Sequence, residues 1–296
     1  MLIDRERLHI AIQKSGRLSD QSRGLLADAG LRIANGKNSL TARIENFPAD
    51  LMFVRDDDIP TFVADGVCEW GIVGENVLKE FALAEGAERC EVVAPLGFGR
   101  CTLQLAIAEA KQWEGVQSLA GCRIATSYPG VLGAWLAERG IAAEVVKMNG
   151  AVELAPRLGI AGAVCDLVST GATLEANGLK AVETVLESEA VLIRTRKAVP
   201  EVKRDSGERL LSRIEGVLGT RDAKYIMLNA PSEALAAISR LLPGAEAPTV
   251  LPLHGRPGHF AVHAVCRESV FWETLQQLKS AGASAILVLP IEKMLP

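Results

Sequence analysis

The sequence predicts an α/β protein in which two α/β lobes border a cleft and a C-terminal βαββαβ module follows. Three observations carry this. Short apolar runs of strand length alternate with helix-spaced segments from Leu8 to Ile193. The order of elements changes to strand, helix, strand, strand, helix, strand from about residue 223. Turns such as Lys14-Ser15-Gly16-Arg17, Asn149-Gly150 and Gly255-Arg256-Pro257-Gly258 separate the elements, without repeats or low-complexity tracts.

Taken in order, Leu8 to Gln13 is a buried strand followed by a Lys14-Ser15-Gly16-Arg17 turn. Ser19 to Ala29 has helical spacing, with Ser19 as N-cap and Gly30 as stop. Asp50 to Val54 is a strand that ends in Arg55-Asp56-Asp57-Asp58. A short helix over Ile59 to Asp65, a strand over Trp70 to Val73 and a helix over Asn76 to Phe81 complete the first unit. The second unit reads strand at Cys101 to Ala108, strand at Arg123 to Thr126, helix at Gly130 to Arg139 and strand at Ala143 to Lys147. A helix at Glu153 to Leu158 and a strand at Ala163 to Val168 follow. A strand through Val182 to Ile193 is expected to run back beside the first unit, so lobe I takes residues 1–96 with 180–222 and lobe II takes 97–179. Glu201 to Leu218 is a helix with Leu210, Leu211, Ile214, Val217 and Leu218 on one stripe. The module, 223–296, has strands at Lys224 to Asn229, Thr249 to Leu253, Phe260 to Cys266 and Ala285 to Pro290. Helices at Ser232 to Leu242 and Ser269 to Ala281 interleave them in a ferredoxin-like order.

Composition narrows the function. The 296 residues are 49% hydrophobic and 23% charged, with a formal net charge of −4. That balance disfavours non-specific nucleic-acid binding, and no apolar run reaches membrane-span length. The first residues, MLIDRERLHIAIQKSG, do not read as a targeting signal, so a cytoplasmic location is expected. The six cysteines are scattered, which suits reduced thiols better than disulfides or zinc. His259 and His263 would have metal-like spacing on a helix. Their FAVHAV surroundings alternate like a strand, where residues four apart are about 13 Å from each other.

One stretch asks for a ligand. In AVCDLVSTGATLEANG, a strand delivers Asp166 and then breaks into Ser169, Thr170, Gly171, Ala172, Thr173 and Leu174. Successive N–H groups beside small residues, threonine hydroxyls and a helix start form an anion cradle. The acid just upstream would accept hydrogen bonds from sugar hydroxyls or lie near a magnesium ion, which together suits a ribose 5-phosphate. A plain strand-to-helix turn is the competing reading.

This segment resembles the phosphoribosyl-pyrophosphate loop of the ATP phosphoribosyltransferases, the first enzymes of histidine biosynthesis. LHIAIQKSGRLS, VRDDDIP, WGIVGENVL, RIATSYP, NGAVELAPRLG, KYIMLNAP and ILVLPIEKM read like the same family in the same order, and the terminal module resembles the ACT-like regulatory domain of its long form. The resemblance implies transfer of a phosphoribosyl group to adenine N1 of ATP with loss of pyrophosphate, Mg2+ as cofactor, and feedback inhibition by histidine bound within 223–296. It also implies assembly from dimers to hexamers.

With that reaction in view, Asp166 is expected to hold the ribose hydroxyls, directly or through the ion, and Ser169 to Leu174 the 5-phosphate. The resemblance brings Glu153 beside the ribose as a catalytic carboxylate; helix-start complementarity is its bland alternative. Lys14, Arg17 and Arg55 follow strand ends, where open α/β sheets bind ligands, and are candidates for the substrate phosphates. For Arg55 an ion pair with its neighbouring aspartates competes. Asp57 or Asp58 is expected to cap the helix from Ile59 or to hold magnesium. Tyr128 offers a ring to stack on adenine or to bury at a strand end. Gly71 and Gly74 lack the third glycine of a dinucleotide fingerprint, so close strand-to-helix packing accounts for them. Two other classes share the two-lobe plan: a solute-binding protein of the periplasmic type, and a regulator sensing a metabolite through its last domain. The absence of a recognisable signal peptide weighs against the first, and the lack of a helix-turn-helix or basic segment against the second.

Overall fold

The computed structural model describes residues 6–34, 40–86, 89–168, 171–242, 244–245 and 247–294. The chain divides into two compact units, Met1–Ala27 with Leu31–Glu208, and Asp28–Gly30 with Arg209–Pro296. Among the described residues no helix is long and apolar enough to cross a membrane.

The larger unit holds two sheets. The first begins with β1 (Leu8–Gln13), α1 (Arg17–Asp28), β2 (Thr41–Arg43) and β3 (Ala49–Val54). It continues with α2 (Ile59–Ala64), β4 (Trp70–Gly74), α3 (Glu75–Glu85) and β5 (Cys90–Pro95). β1 is buried on both faces except at Gln13, as a strand flanked by parallel partners and covered by helices must be. It pairs parallel with β3 and β4. Gly71 lies where α2 crosses β4: a Cβ there would stand 2.9 Å from methyls of both Ile59 and Val63, so close packing explains this glycine.

The second sheet uses β6 (Cys101–Ala108), β7 (Arg123–Thr126), α4 (Pro129–Glu138) and β8 (Glu144–Lys147). β9 (Ala163–Val168), α5 (Ala172–Ala176) and β10 (Leu179–Ser188) complete it. The chain then returns as β11 (Ala190–Thr195), followed by α6 (Glu201–Leu218). The orders are β2-β3-β1-β4-β11-β5 and β10-β6-β9-β7-β8. In each, three parallel strands are followed by one antiparallel strand: β11 beside β4, and β6 beside β9. The chain therefore passes between the sheets twice, after Pro95 and again at Glu189. This is the two-lobe plan expected from the sequence.

Some expectations are corrected. The anticipated strand through Val182 to Ile193 is two strands. β10 pairs along its length with β6, from Leu179 opposite Ala108 to Ser188 opposite Cys101, and so stays with the second sheet. Only β11 returns, so the lobe changes at Glu189 rather than at 180. Ser19 is not an N-cap, because α1 already starts at Arg17. The expected helix from Glu153 is a single 3-10 turn, Val152–Leu154. Pro156 lacks the N–H that would close an α turn on Val152, and Gly159, at φ +70°, ends the segment. β2 and β5, too short or too irregular to show a period, were not anticipated.

His9 belongs to the core of the first lobe. Glu69 accepts its main-chain N–H through Oε2 (2.8 Å) and the Lys203 ammonium through Oε1 (2.6 Å). Lys203 Nζ also lies 3.4 Å from His9 Nδ1.

The second unit carries β12 (Ala223–Pro231), α7 (Leu235–Leu241), β13 (Thr249–Pro252), β14 (His259–Arg267), α8 (Glu268–Ser280) and β15 (Ser284–Pro290). Its order β13-β14-β12-β15, antiparallel throughout, is the ferredoxin-like arrangement. Ile226, Leu228, Val262 and Ala264 pack with Ile238, Phe271 and Leu278 into its core. β14 settles the histidine question, because both His259 and His263 lie on this strand. His263 Nδ1 instead shares a hydrogen bond with the Tyr225 hydroxyl (2.5 Å).

Candidate active site

Parallel pairing aligns strand ends. The carboxyl ends of β1, β3 and β4 share one edge of the first sheet; Lys14 and Arg55 follow the first two, and Gly74 is the last residue of β4. β7, β8 and β9 do the same in the second sheet, leading into Tyr128, the Asn149-Gly150 turn and Gly171. A cavity of about 280 Å³ lies between these edges, with Gln13, Arg17, Asp56 and Asn76 on one side and Leu167 on the other.

The strongest convergence is at β9. Asp166 is half-buried, and burial pushes its carboxyl above the ordinary 3.8. The Leu167 N–H, donated to Oδ1 at 2.8 Å, works against that rise, while the charge of Glu153 adds to it. The two predicted carboxylates are thus near enough for the charge of one to act on the other. Glu153 sits in the 3-10 turn whose preceding residue, Ala151, is held at φ +50°. That left-handed conformation costs a non-glycine residue roughly 1–2 kcal/mol, and such residues cluster at functional sites. Ala151 was not anticipated, because an alanine after Asn-Gly gives no sign of it.

Downstream, Gly171 adopts φ +79° at the N-cap of α5, and a Cβ built there meets nothing within 4 Å. The first intrahelical bond runs from Glu175 N–H to Gly171 O (3.1 Å). The N–H groups of Ala172, Thr173 and Leu174 therefore have no intrahelical acceptor. The Ala172 and Thr173 side chains are exposed. Leu174 is a partial correction: its side chain is buried against Val152, Ala155 and Val164, so only its main chain can serve a ligand. Ser169 and Thr170 lie outside the described residues.

Lys14, Arg17 and Arg55 are all exposed at the first sheet's edge. Arg55 makes no direct ion pair among the described residues. Its charge instead acts at longer range on Asp57, whose carboxyl is pushed up first by burial and then by Asp56 and Asp58; Arg55 and Lys147 oppose the rise. Lys147 ends β8, so a charge of the second lobe acts on the aspartate turn. The capping expectation fails for Asp58: it is the N-cap of α2 but makes no side-chain cap bond. Pro60 at the second helical position has no N–H to offer it.

Tyr128 is drawn into structure. Its ring packs against the cores of both lobes, and its hydroxyl accepts a hydrogen bond from the Asn76 amide (2.8 Å). This packing is the second of the two roles expected for the ring, at a strand end. Asn76 itself accepts from Ser188 Oγ (2.9 Å) and donates its main-chain N–H to the same oxygen (3.0 Å). A Cβ on Gly74 would collide with the Asn76 amide oxygen. Asn76 was not foreseen, since its partners are far away in sequence.

Comparison with known proteins matches this layout. The family model described as ATP phosphoribosyltransferase matches residues 55–216, and that of the HisG C-terminal domain matches 220–293. An ATP phosphoribosyltransferase of Maricaulis maris is 56% identical over 290 residues, covering 98% of this chain and 99% of the relative. The chain belongs to the ATP phosphoribosyltransferase family. A solved structure, the ATP phosphoribosyl transferase (HisG:HisZ) complex from Thermotoga maritima, shares the fold at a TM-score of 0.60. It is 23% identical, over 71% of this chain and 97% of that one. Within the ATP phosphoribosyltransferase family this chain is of the long form, because the C-terminal domain is present.

Proposed function

We propose that the cleft divides the family's reaction between its two lobes, with lobe II seating the phosphoribosyl group and lobe I the phosphates of the partner substrate. The reaction is the first step of histidine biosynthesis: adenine N1 of ATP attacks the anomeric carbon of phosphoribosyl pyrophosphate, and pyrophosphate leaves. One observation carries the assignment. The N–H groups at Ala172, Thr173 and Leu174 lack intrahelical acceptors, behind a left-handed Gly171 and just downstream of the half-buried Asp166.

Little covalent work falls to the protein, so positioning and electrostatics dominate. The loop amides would hold the 5-phosphate. Asp166 would accept hydrogen bonds from the ribose hydroxyls and so fix the ring face. Arg17, Lys14 and Arg55, exposed at the opposing edge, would offset the phosphate charge. Glu153 would take the proton that the adenine amine sheds as N1 bonds.

Mg2+ belongs to this proposal. Among the described residues no group of three or more His, Cys, Asp or Glu side chains is placed to hold a metal ion. The mutual repulsion of Asp166 and Glu153 nevertheless suits a cation shared with substrate, and magnesium is commonly held by one or two carboxylates plus phosphates. Bound there, it would neutralise charge on the departing pyrophosphate.

Formation of phosphoribosyl-ATP from ATP, phosphoribosyl pyrophosphate and Mg2+ tests the whole reading; binding of either without turnover would favour a sensor or carrier. Glu153→Gln is expected to lower kcat by roughly 10²-fold with the thermal midpoint unchanged. Near-normal turnover would remove it from the mechanism.

Histidine inhibition through residues 223–296, assembly from dimers to hexamers and a cytoplasmic location complete the proposal. True allostery requires histidine to favour one quaternary state. A chain ending at Arg221 is expected to turn over without responding to histidine, whereas inhibition that persists would put the effector site elsewhere. Four of the six cysteines are buried, as suits thiols kept reduced in the cytoplasm.

A further inference from the structure

One lobe caps a helix of the other. Helix α4 of lobe II begins with Tyr128 as N-cap, which supplies no side-chain bond, and with Pro129, which has no N–H. The next two donors, Gly130 N–H and Val131 N–H, are each taken at 2.8 Å by Oε1 and Oε2 of Glu80. Glu80 belongs to α3 of lobe I, fifty residues away. Both carboxylate oxygens are used, and the negative charge sits at the positive end of the helix. Position 130 is open for it: a Cβ there would stand 3.1 Å from Glu80 Oε1 and 3.2 Å from Oε2. One turn earlier on the same face of α3, Asn76 bonds Tyr128 and Ser188, both on the lobe II side of the crossing.

We propose that Glu80 is a positioning residue: by capping α4 across the cleft it latches the lobes at the separation at which their two half-sites face one substrate pair. The proposal rests on the two-lobe division of the reaction given above. The physical reason is population. A binding-competent arrangement present only a fraction of the time weakens apparent affinity by that fraction. A pre-formed latch raises the fraction before either substrate arrives. Once both substrates bridge the lobes they hold them together themselves, so the latch acts on KM and leaves saturated turnover largely unaffected.

The test combines kinetics with hydrogen exchange at the Gly130 and Val131 amides of the full-length protein, using Glu80→Ala, Glu80→Gln and Gly130→Val. The last crowds the carboxylate out from the α4 side and leaves Glu80 itself intact, so the proposal stays testable if one variant fails to fold. Faster exchange at both amides is expected without substrates, with KM for ATP and phosphoribosyl pyrophosphate raised about 10-fold and kcat little changed. Glu80→Gln should lie between wild type and Glu80→Ala, because its NH2 group takes the place of one acceptor oxygen and would face an N–H donor. Unchanged exchange would refute the latch. Faster exchange with unchanged KM would reduce Glu80 to a local cap. Protection of residues 163–176 by phosphoribosyl pyrophosphate in the wild type reports separately on the seat, so failure of the site assignment and failure of the latch remain distinguishable.

Discussion

Asp166→Asn is expected to lower kcat/KM for phosphoribosyl pyrophosphate by about 10²–10³-fold, as loss of a charged hydrogen-bonding partner in a partly buried site does, while raising thermal stability. Both effects have one cause. Burial holds the Asp166 carboxyl above its ordinary 3.8, and the neighbouring Glu153 adds to the rise. The folded protein therefore binds the proton more tightly than the unfolded chain. Between the unfolded value and the raised one, stability falls as pH rises, and above that window the charged form is a net cost to folding. Asparagine has no such charge, so at pH 7 the midpoint should rise by roughly 1–3 °C. Below pH 4 the difference should vanish. A variant with unaltered kinetics would refute the ribose role, and one less stable at pH 7 would refute the electrostatic account.

Gly171→Val should be nearly as damaging for a different reason. Nothing lies within 4 Å of the added Cβ, so no clash arises. The penalty is conformational: φ +79° is left-handed, and a β-branched residue resists it most. The local chain would relax and turn the amides of Ala172, Thr173 and Leu174 away from a common point. A KM for phosphoribosyl pyrophosphate raised by roughly 10²-fold, with the KM for ATP within about 2-fold of wild type, is the expected pattern. Isothermal titration with phosphoribosyl pyrophosphate alone measures it; retained binding would show that the loop does not seat the phosphate through its main chain.

What the sequence disclosed depended on how local each signal was. The terminal module was legible almost residue by residue, because alternation along Lys224 to Asn229 and Phe260 to Cys266 is a local property of strands. The small residues at Gly171 and Ala172 and the carboxylate before them were legible for the same reason: chain order alone puts them together, although the left-handed turn at Gly171 is seen only in the structure. The break at Glu189 was not, because Val182 to Ile193 is uniformly strand-like and only pairing partners reveal that it serves two sheets. Asp58 looked like a cap, but the proline two residues on had removed a donor. Glu80, Asn76 and Lys147 carried no signal at all. Their partners lie far along the chain, and a glutamate on an exposed-looking helix reads as solvated surface until the second lobe is brought against it.

The twofold passage between sheets also sets an order of assembly. Strands β6 to β10 are one uninterrupted stretch, so lobe II is an insert that can close on itself as soon as residue 188 has been synthesised. Lobe I cannot. Its sheet keeps an open slot between β4 and β5 until β11 emerges about a hundred residues after β5, and only then are the inner edges of both strands paired. During synthesis the N-terminal third must wait for its missing strand, which emerges directly behind the last strand of the inserted lobe.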